Sequence, residues 1–177
     1  MKALNLHAQL INQCLAGKRS AQASLYQQYA SGMYNVCVRM VGDRALAEDI
    51  LQEAFVDVFK NLRSFNGDST IGAWIKRIVV NNCITHLRKR KMQISEIEEA
   101  THVQDEEQEE DDYSGINVQK IKDALRKLPQ GYKVIFSLYA LEGYDHEEIS
   151  EILGVSVSTS KSQYHRAKKK IRALISL

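Results

Sequence analysis

The segment FNGDSTIGAWIKRIVVNNCITHLRKRK, at residues 65–91, carries side chains suited to nucleic-acid chemistry. It combines the aromatic rings of Phe65 and Trp74 with short polar groups and bases. Aromatic rings stack on exposed bases, and a cationic track neutralises the phosphates of a single strand. The segment therefore predicts single-stranded nucleic-acid binding, while the alternative interpretation makes Trp74 a core residue of its helix. The polar and basic members are Asn66, Ser69, Thr70, Asn81, Lys76, Arg77 and Arg88–Lys91.

A second group of bases lies near the C-terminus, in a helix predicted after Val155 and Ser156. Before it, Asp145 and Glu148 have capping-box spacing, and Gly154 stands where a tight turn needs a left-handed residue. Two helices joined in this way, the second rich in Lys and Arg, are typical of major-groove binding; the alternative is a helical hairpin with a solvated basic face. The predicted inner face is Tyr164, Ala167, Ile171 and Leu174, and the outer face is Lys161, Ser162, His165, Arg166 and Lys169.

A third segment, AEDILQEAFVDVF at 47–59, combines an apolar stripe with Asp49, Gln52 and Glu53 on other faces. Phe55 and Phe59 are four residues apart, which gives a helix more apolar surface than one packing stripe needs. This pattern indicates either a wide core face or a docking site for partner helices.

The sequence gives little support to an enzymatic function. Cys14, Cys37 and Cys83 are widely spaced and form no CxxC pair, which argues against a zinc site or a disulfide framework and favours a reducing cytoplasm. Cys83 and His86 lie one helical turn apart, but no third group is placed to orient the base and no Gly-rich phosphate loop occurs. No run of apolar residues reaches the length of a membrane span. We therefore expect a cytoplasmic protein with no catalytic residue, metal, cofactor or small-molecule substrate.

The elements that position these residues are predicted to be helices throughout. Apolar residues recur at three- and four-residue steps within 25–40, 47–62 and 71–87, after a short helix around Leu6–Leu15. Ser20 is a candidate N-cap, and Gly42-Asp43 and Asn66–Ser69 separate the three series. Nearer the C-terminus, Val118, Ile121, Leu125 and Leu128 predict a helix that ends at Pro129, and another follows from about Lys133 to Leu141, with Gly143 as its stop.

Charge divides the chain into three parts. Residues 1–91 hold 13 Lys and Arg against 6 Asp and Glu, residues 92–114 hold none against 10, and residues 115–177 hold 11 against 6. Dense like charge without apolar periodicity is typical of a flexible linker, and basic blocks suggest a polyanionic partner. The predicted fold class is all-α, with two small helical domains, 1–91 and 115–177, joined by an acidic linker at 92–114.

These segments together resemble the bacterial sigma factors of the extracytoplasmic-function group, and the resemblance covers nearly the whole chain. AEDILQEAF, with the F-x-G-D-S and W-I-x-R-I-x-x-N strings of 65–81, is similar to the family's second conserved region. LPQGYKVIFSLYALEGYDHEEISEILGVSVSTSKSQYHRAKKKI is similar to its fourth. The resemblance implies a sigma factor that binds core RNA polymerase, through the largest-subunit coiled coil and the flap, and directs initiation at promoter DNA. It also implies an anti-sigma partner.

The resemblance implies roles for matching positions. Docking on the largest-subunit coiled coil is expected of Asp49, Gln52, Glu53 and Phe55. Melting and capture of the minus-ten element is expected of Asn61, Phe65, Asn66, Gly67, Asp68, Ser69, Thr70, Trp74, Arg77 and Asn81. Reading of the minus-35 element is expected of Lys161, Ser162, His165, Arg166 and Lys169. The chain departs from the family at Ser160, where an aliphatic residue is usual, and at Gln163, where Arg is common.

The competing interpretation is a stand-alone helix-turn-helix regulator with a helical N-terminal sensor or interaction domain. It would occupy duplex DNA without polymerase. The aromatic and Asn-Gly-Asp-Ser segment of 65–74 argues against it, because a protein that binds only duplex DNA has no use for a base-capturing loop.

Overall fold

The computed structural model describes the backbone of residues 2–89 and 118–175, with side chains described for 7–89 and 119–175. These residues form eight α-helices and contain no strand, which confirms the all-α prediction. The helices are α1 (Lys2–Leu15), α2 (Arg19–Val41), α3 (Arg44–Asn61), α4 (Ile71–Lys89), α5 (Val118–Lys127), α6 (Gln130–Phe136), α7 (His146–Leu153) and α8 (Val157–Ile175). The predicted acidic linker, 92–114, lies outside the described residues.

The chain divides into two compact units, residues 1–86 and 87–177. In the first unit α2 packs along α3, and α1 packs against α2. The apolar series predicted for α3 is buried: Ala47, Ile50, Leu51, Ala54 and Val58 on the helix, and Leu62 directly after it. Asn82 on α4 donates a hydrogen bond from Nδ2 to Asp57 Oδ2 on α3 at 3.1 Å. Apart from Phe55, the side chains proposed for chemistry in this unit are exposed or half-buried.

The predicted boundary between α2 and α3 is confirmed, whereas the predicted N-cap of α2 is not. Gly42 ends α2, and Asp43 begins α3 by accepting a hydrogen bond from the Leu46 amide at 3.1 Å. The prediction of Ser20 as an N-cap is wrong, because α2 already starts at Arg19 and Ser20 lies within its first turn. The capping position is Lys18, whose side chain makes no capping hydrogen bond.

The second unit is organised around α8, on which α5, α6 and α7 pack. Ala124 of α5 and Leu128, directly after that helix, are buried together with Ala167 and Ile171 of α8. The helix predicted from about Lys133 to Leu141 begins earlier, at Gln130 directly after the proline, and its last turn, Ser137–Leu141, is a π-helix.

Within the described ranges, no helix combines the length and the hydrophobicity that a membrane span requires.

Candidate nucleic-acid and polymerase interfaces

The loop between α3 and α4 is held by hydrogen bonds within itself. The Asn66 side-chain amide donates to the Asp68 carboxylate, and the Asp68 backbone N–H donates to Asn66 Oδ1 at 3.3 Å. Gly67 lies between them with a φ of +84°, a left-handed conformation that glycine adopts without strain. Thr70 begins α4, because its Oγ1 accepts from the Ala73 amide at 3.2 Å. The loop thus presents exposed polar groups on a locally fixed backbone.

The two aromatic residues of this segment pack on each other near the surface. The ring centroids of Phe65 and Trp74 lie 5.6 Å apart with planes inclined by 59°, and both side chains are half-buried. Trp74 is therefore not a fully buried core residue, which was the alternative interpretation. Part of each ring remains accessible to a ligand.

Two of the polar residues predicted to follow the DNA share a face of α4 with Trp74. Arg77 and Asn81 are exposed on successive turns, three and seven residues after Trp74, so helical geometry places them on one side. Asn61 lies at the end of α3 instead, where its Nδ2 donates to the Asp57 carbonyl at 2.9 Å. The structure thus separates Asn61 from the face formed by the other three.

On α3 the predicted docking residues divide into two groups. Asp49, Gln52 and Glu53 are exposed, as a docking surface requires. Phe55 is only 3% exposed, with its ring 4.8 Å from that of Tyr26 in an edge-to-face contact. Little of the Phe55 ring is therefore left for direct contact with a partner, and the ring stabilises the core beneath these exposed residues. The expected role of Phe55 in polymerase docking stays a prediction.

The sequence analysis missed an exposed apolar residue on this face. Val56 is 50% exposed and follows Gln52 and Glu53 by four and three residues, which places all three on one side of α3. The three- and four-residue spacing of Val56 from the predicted docking residues is the sequence signal that could have identified it. Glu53 is also held in place, because its Oε2 lies 2.6 Å from Nε2 of His86 on α4.

The helix-turn-helix has the caps and the turn that the sequence predicts. Asp145 accepts hydrogen bonds from the backbone of the first turn of α7, and its own backbone N–H donates to Glu148 Oε2 at 2.9 Å, which completes a capping box. Gly154 ends α7 with a φ of +71°. The Ser150 hydroxyl then donates to the Val155 carbonyl at 2.6 Å across the turn. This clamp fixes the path of the chain from α7 into α8.

The two faces of α8 follow the predicted pattern. Ala167 and Ile171 are buried, and Tyr164 and Leu174 are half-buried. Burial raises the pKa of Tyr164 above its ordinary value, and the positive charge of Lys168 opposes that shift. On the outer face, Lys161, His165 and Lys169 are exposed, and Ser162 and Arg166 are half-buried. The outer face therefore presents donors that suit base edges and phosphates.

Two polar residues of α8 were not expected in its interior. Ser160 and Gln163 are 0% and 1% exposed. The signal was their spacing, since both lie one turn before inner-face residues. Neither side chain lies on the outer face of α8, so these departures from the family pattern do not change the donors that this face presents.

The geometry gives no support to an enzyme site at Cys83 and His86. Cys83 is fully buried, and its thiol hydrogen-bonds to Cys37 and lowers the pKa of that residue, an effect partly opposed by burial. His86 is paired with Glu53. Among the described residues, no group of three or more His, Cys, Asp and Glu side chains could hold a metal ion.

Comparison with known proteins links both units to transcription initiation. Residues 25–92 match the family described as Sigma-70 region 2, and residues 118–171 match Sigma-70, region 4. The ECF RNA polymerase sigma factor SigW of Bacillus subtilis is 31% identical over 173 residues, which cover 92% of each chain. The ECF RNA polymerase sigma-E factor of Haemophilus influenzae is 28% identical over 92% of this chain and 91% of its own.

Solved structures show the same fold. The sigma factor RpoE of Bartonella quintana, in complex with the anti-sigma factor NepR, superposes with a TM-score of 0.59 at 20% identity, covering 88% of this chain and 96% of that one. CnrH, in complex with the cytosolic domain of CnrY, has a TM-score of 0.55 at 22% identity, covering 94% and 95%.

Proposed function

This chain belongs to the sigma-70 family of RNA polymerase sigma factors, in its extracytoplasmic-function group, and we propose that its two helical units recognise different parts of a promoter. As a member of this family, the protein is a sigma factor that binds core RNA polymerase and directs promoter-specific transcription initiation. The observation that carries this conclusion is the match of both conserved regions, in order, along a chain that aligns with a relative over 92% of each length. Sigma factors are generally not catalysts, and the polymerase performs the chemistry.

The first unit, with the predicted bounds 1–91, is proposed to melt and hold the minus-ten element. The exposed loop supplies polar groups that can contact a base rotated out of the DNA stack. The half-buried rings of Phe65 and Trp74 offer a surface on which that base can stack. Arg77 and Asn81 follow Trp74 along α4, where they can contact the DNA strand as it leads away from the loop. The residues assigned to this element are Asn61, Phe65, Asn66, Gly67, Asp68, Ser69, Thr70, Trp74, Arg77 and Asn81.

The second unit, with the predicted bounds 115–177, is proposed to read the minus-35 element as duplex. Its α8 would enter the major groove as the second helix of a helix-turn-helix. Arg166 and Lys161 can donate to guanine edges, whereas Lys169, farther along the helix, suits a phosphate. Ser162 and His165 complete the assigned set.

Core binding is proposed for the outer face of α3. Asp49, Gln52 and Glu53 supply polar contacts to the coiled coil of the largest subunit, and Val56 supplies the apolar contact that was first expected of Phe55. We further propose contact of the second unit with the polymerase flap, and a cytoplasmic location, since core polymerase acts there. An anti-sigma partner is proposed as well, because two structural neighbours were solved in complex with one or with a cytosolic domain.

Dependence on polymerase tests the proposal against the stand-alone regulator. Transcript starts mapped after overproduction would define the promoters, and those fragments would be used for run-off transcription with core enzyme and for duplex binding without it. We expect initiation only when protein and core are both present, with weak duplex binding by the protein alone, because unstacking a base costs roughly a few kcal/mol. Tight sequence-specific duplex binding by the isolated protein would overturn the proposal.

A further inference from the structure

A partly buried hydrogen bond joins the two helices of the helix-turn-helix outside their connecting turn. Nδ1 of His146, the first residue of α7, lies 2.8 Å from Oγ of Ser160 in the first turn of α8. Ser160 is completely buried, and a buried hydroxyl without a partner is costly. His146 therefore supplies the partner that a serine at this position needs.

Two tyrosine rings set the orientation of the His146 imidazole. The ring of Tyr139, from the π-helical turn before α7, stacks on it with centroids 4.3 Å apart and planes inclined by 18°. The edge contact with Tyr164 of α8 is 5.8 Å at 62°, and the two tyrosine rings contact each other at 4.5 Å. With both neighbours in place, the imidazole has little freedom to rotate away from Ser160.

The structure attaches α7 at two points to the chain that follows it. One is in the middle of α7, where Ser150 donates to the carbonyl of Val155, in the turn before α8, at 2.6 Å. The other is at the N-terminal end of α7, where His146 meets Ser160 of α8. Since Ser150 follows His146 by four residues, the two points on α7 are about 6 Å apart. One attachment leaves a helix free to pivot about it, whereas two separated attachments fix its direction.

We propose that His146 and Ser160 are positioning residues that set the direction of α8 and thereby determine how sharply the protein discriminates between minus-35 sequences. The proposal rests on the minus-35 role proposed above. Lys161 and Ser162 directly follow Ser160, so a change of direction at that point displaces both outer-face residues. Hydrogen bonds to base edges tolerate only small displacements, whereas contacts to phosphates are less demanding.

The test uses full-length protein with core polymerase. Wild-type holoenzyme first selects its preferred sequence from promoter duplexes that are randomised only in the upstream element. Affinity is then compared between that duplex and single-base variants of it. His146→Phe keeps a ring for Tyr139 but has no Nδ1, and Ser160→Ala removes only the hydroxyl. Each should reduce discrimination about three- to tenfold, the range of one lost hydrogen bond.

The matched control is His146→Asn, which places an amide atom near the position of Nδ1 and should retain most of the discrimination. The double variant His146→Phe with Ser160→Ala should lose little more than either single variant, since both remove the same bond. Ser160→Ala carries the test alone should His146→Phe fail to fold.

The unfolding temperature of each variant distinguishes a positioning role of His146 and Ser160 from a role in stability alone. Variants that melt earlier but discriminate between minus-35 sequences as well as wild type would overturn the positioning role and leave the proposed function intact. A wild-type holoenzyme that selects no upstream sequence would overturn the minus-35 function and this inference together.

Discussion

The loop at residues 65–70 and the helix α8 are both proposed to contact promoter DNA, yet the protein holds them by different means. The loop depends on neighbours in sequence, through the bonds between Asn66 and Asp68 and the cap at Thr70. Helix α8 depends on distant parts of its unit, including α5, α6 and α7. An extruded base can be captured by exposed groups, whereas reading an intact groove requires donors at fixed positions. The two means of support therefore match the two tasks.

The largest effect is expected from the loop. Asn66→Ala with Asp68→Ala removes both side chains that hold and line it, and should reduce open complexes about tenfold to a hundredfold, the range for the loss of two hydrogen bonds. Permanganate reactivity of thymines near the start site measures strand opening. Upstream duplex binding is the internal control and should be unchanged. Equal loss of upstream binding and opening would contradict a division of tasks between the two units.

This contrast also explains what could be predicted from sequence. The capping box of Asp145 and Glu148 and the left-handed Gly154 are local signals, and each was predicted correctly. The hydrogen bond between His146 and Ser160 joins residues 14 positions apart, and no local sequence pattern predicts it. The residue roles drawn from the family resemblance remain proposals.

Phe55 and Val56 on α3 show the same limit of prediction from local sequence patterns. Both fit the helical pattern, and the family resemblance favoured Phe55 for docking. The larger ring is buried against Tyr26 from α2, and the smaller side chain is exposed. Which of two adjacent apolar residues faces the core depends on where α2 packs, which sequence periodicity alone does not specify.

A smaller effect is expected on α8, where one variant should alter sequence discrimination and another should alter salt dependence. Arg166→Ala should cost about 1–2 kcal/mol on the preferred upstream sequence and relax discrimination at one position, as the loss of a base contact does. Lys169→Ala should weaken binding to all sequences about equally and reduce the salt dependence, as the loss of a phosphate contact does. Holoenzyme affinity measured across salt concentrations and upstream sequences checks both. Identical behaviour of the two variants would rule out separate base and phosphate roles.

The docking face of α3 should give a further reduction. Val56→Asp places a charge at an exposed apolar position and should weaken core binding by about fivefold, since it removes buried apolar area at an interface. Val56→Thr keeps the branched shape and should have less effect. Fluorescence anisotropy of labelled protein with core polymerase measures the affinity. Unchanged affinity of Val56→Asp for core would remove this residue from the interface.

The smallest effect concerns pH and the contact that positions α8. Burial lowers the pKa of His146 below its ordinary value of 6.5; Lys161 on α8 adds to the shift, and Asp145, the N-cap of α7, opposes it. The other groups packed on the imidazole are the phenol rings of Tyr139 and Tyr164. A histidine with a lowered folded pKa contributes fully to stability above the unfolded value.

That contribution is lost as pH falls from the unfolded value through the folded one, because the unfolded chain then binds the proton more readily. NMR titration of His146 in the full-length protein should show a midpoint below 6.5. Minus-35 discrimination should weaken slightly over the same interval in wild type, and less in His146→Asn, which has no titrating group there. A midpoint at or above the ordinary value would mean that the imidazole is not buried as the structure has it. The attachment of α7 to α8 would then depend on the turn at Ser150 alone.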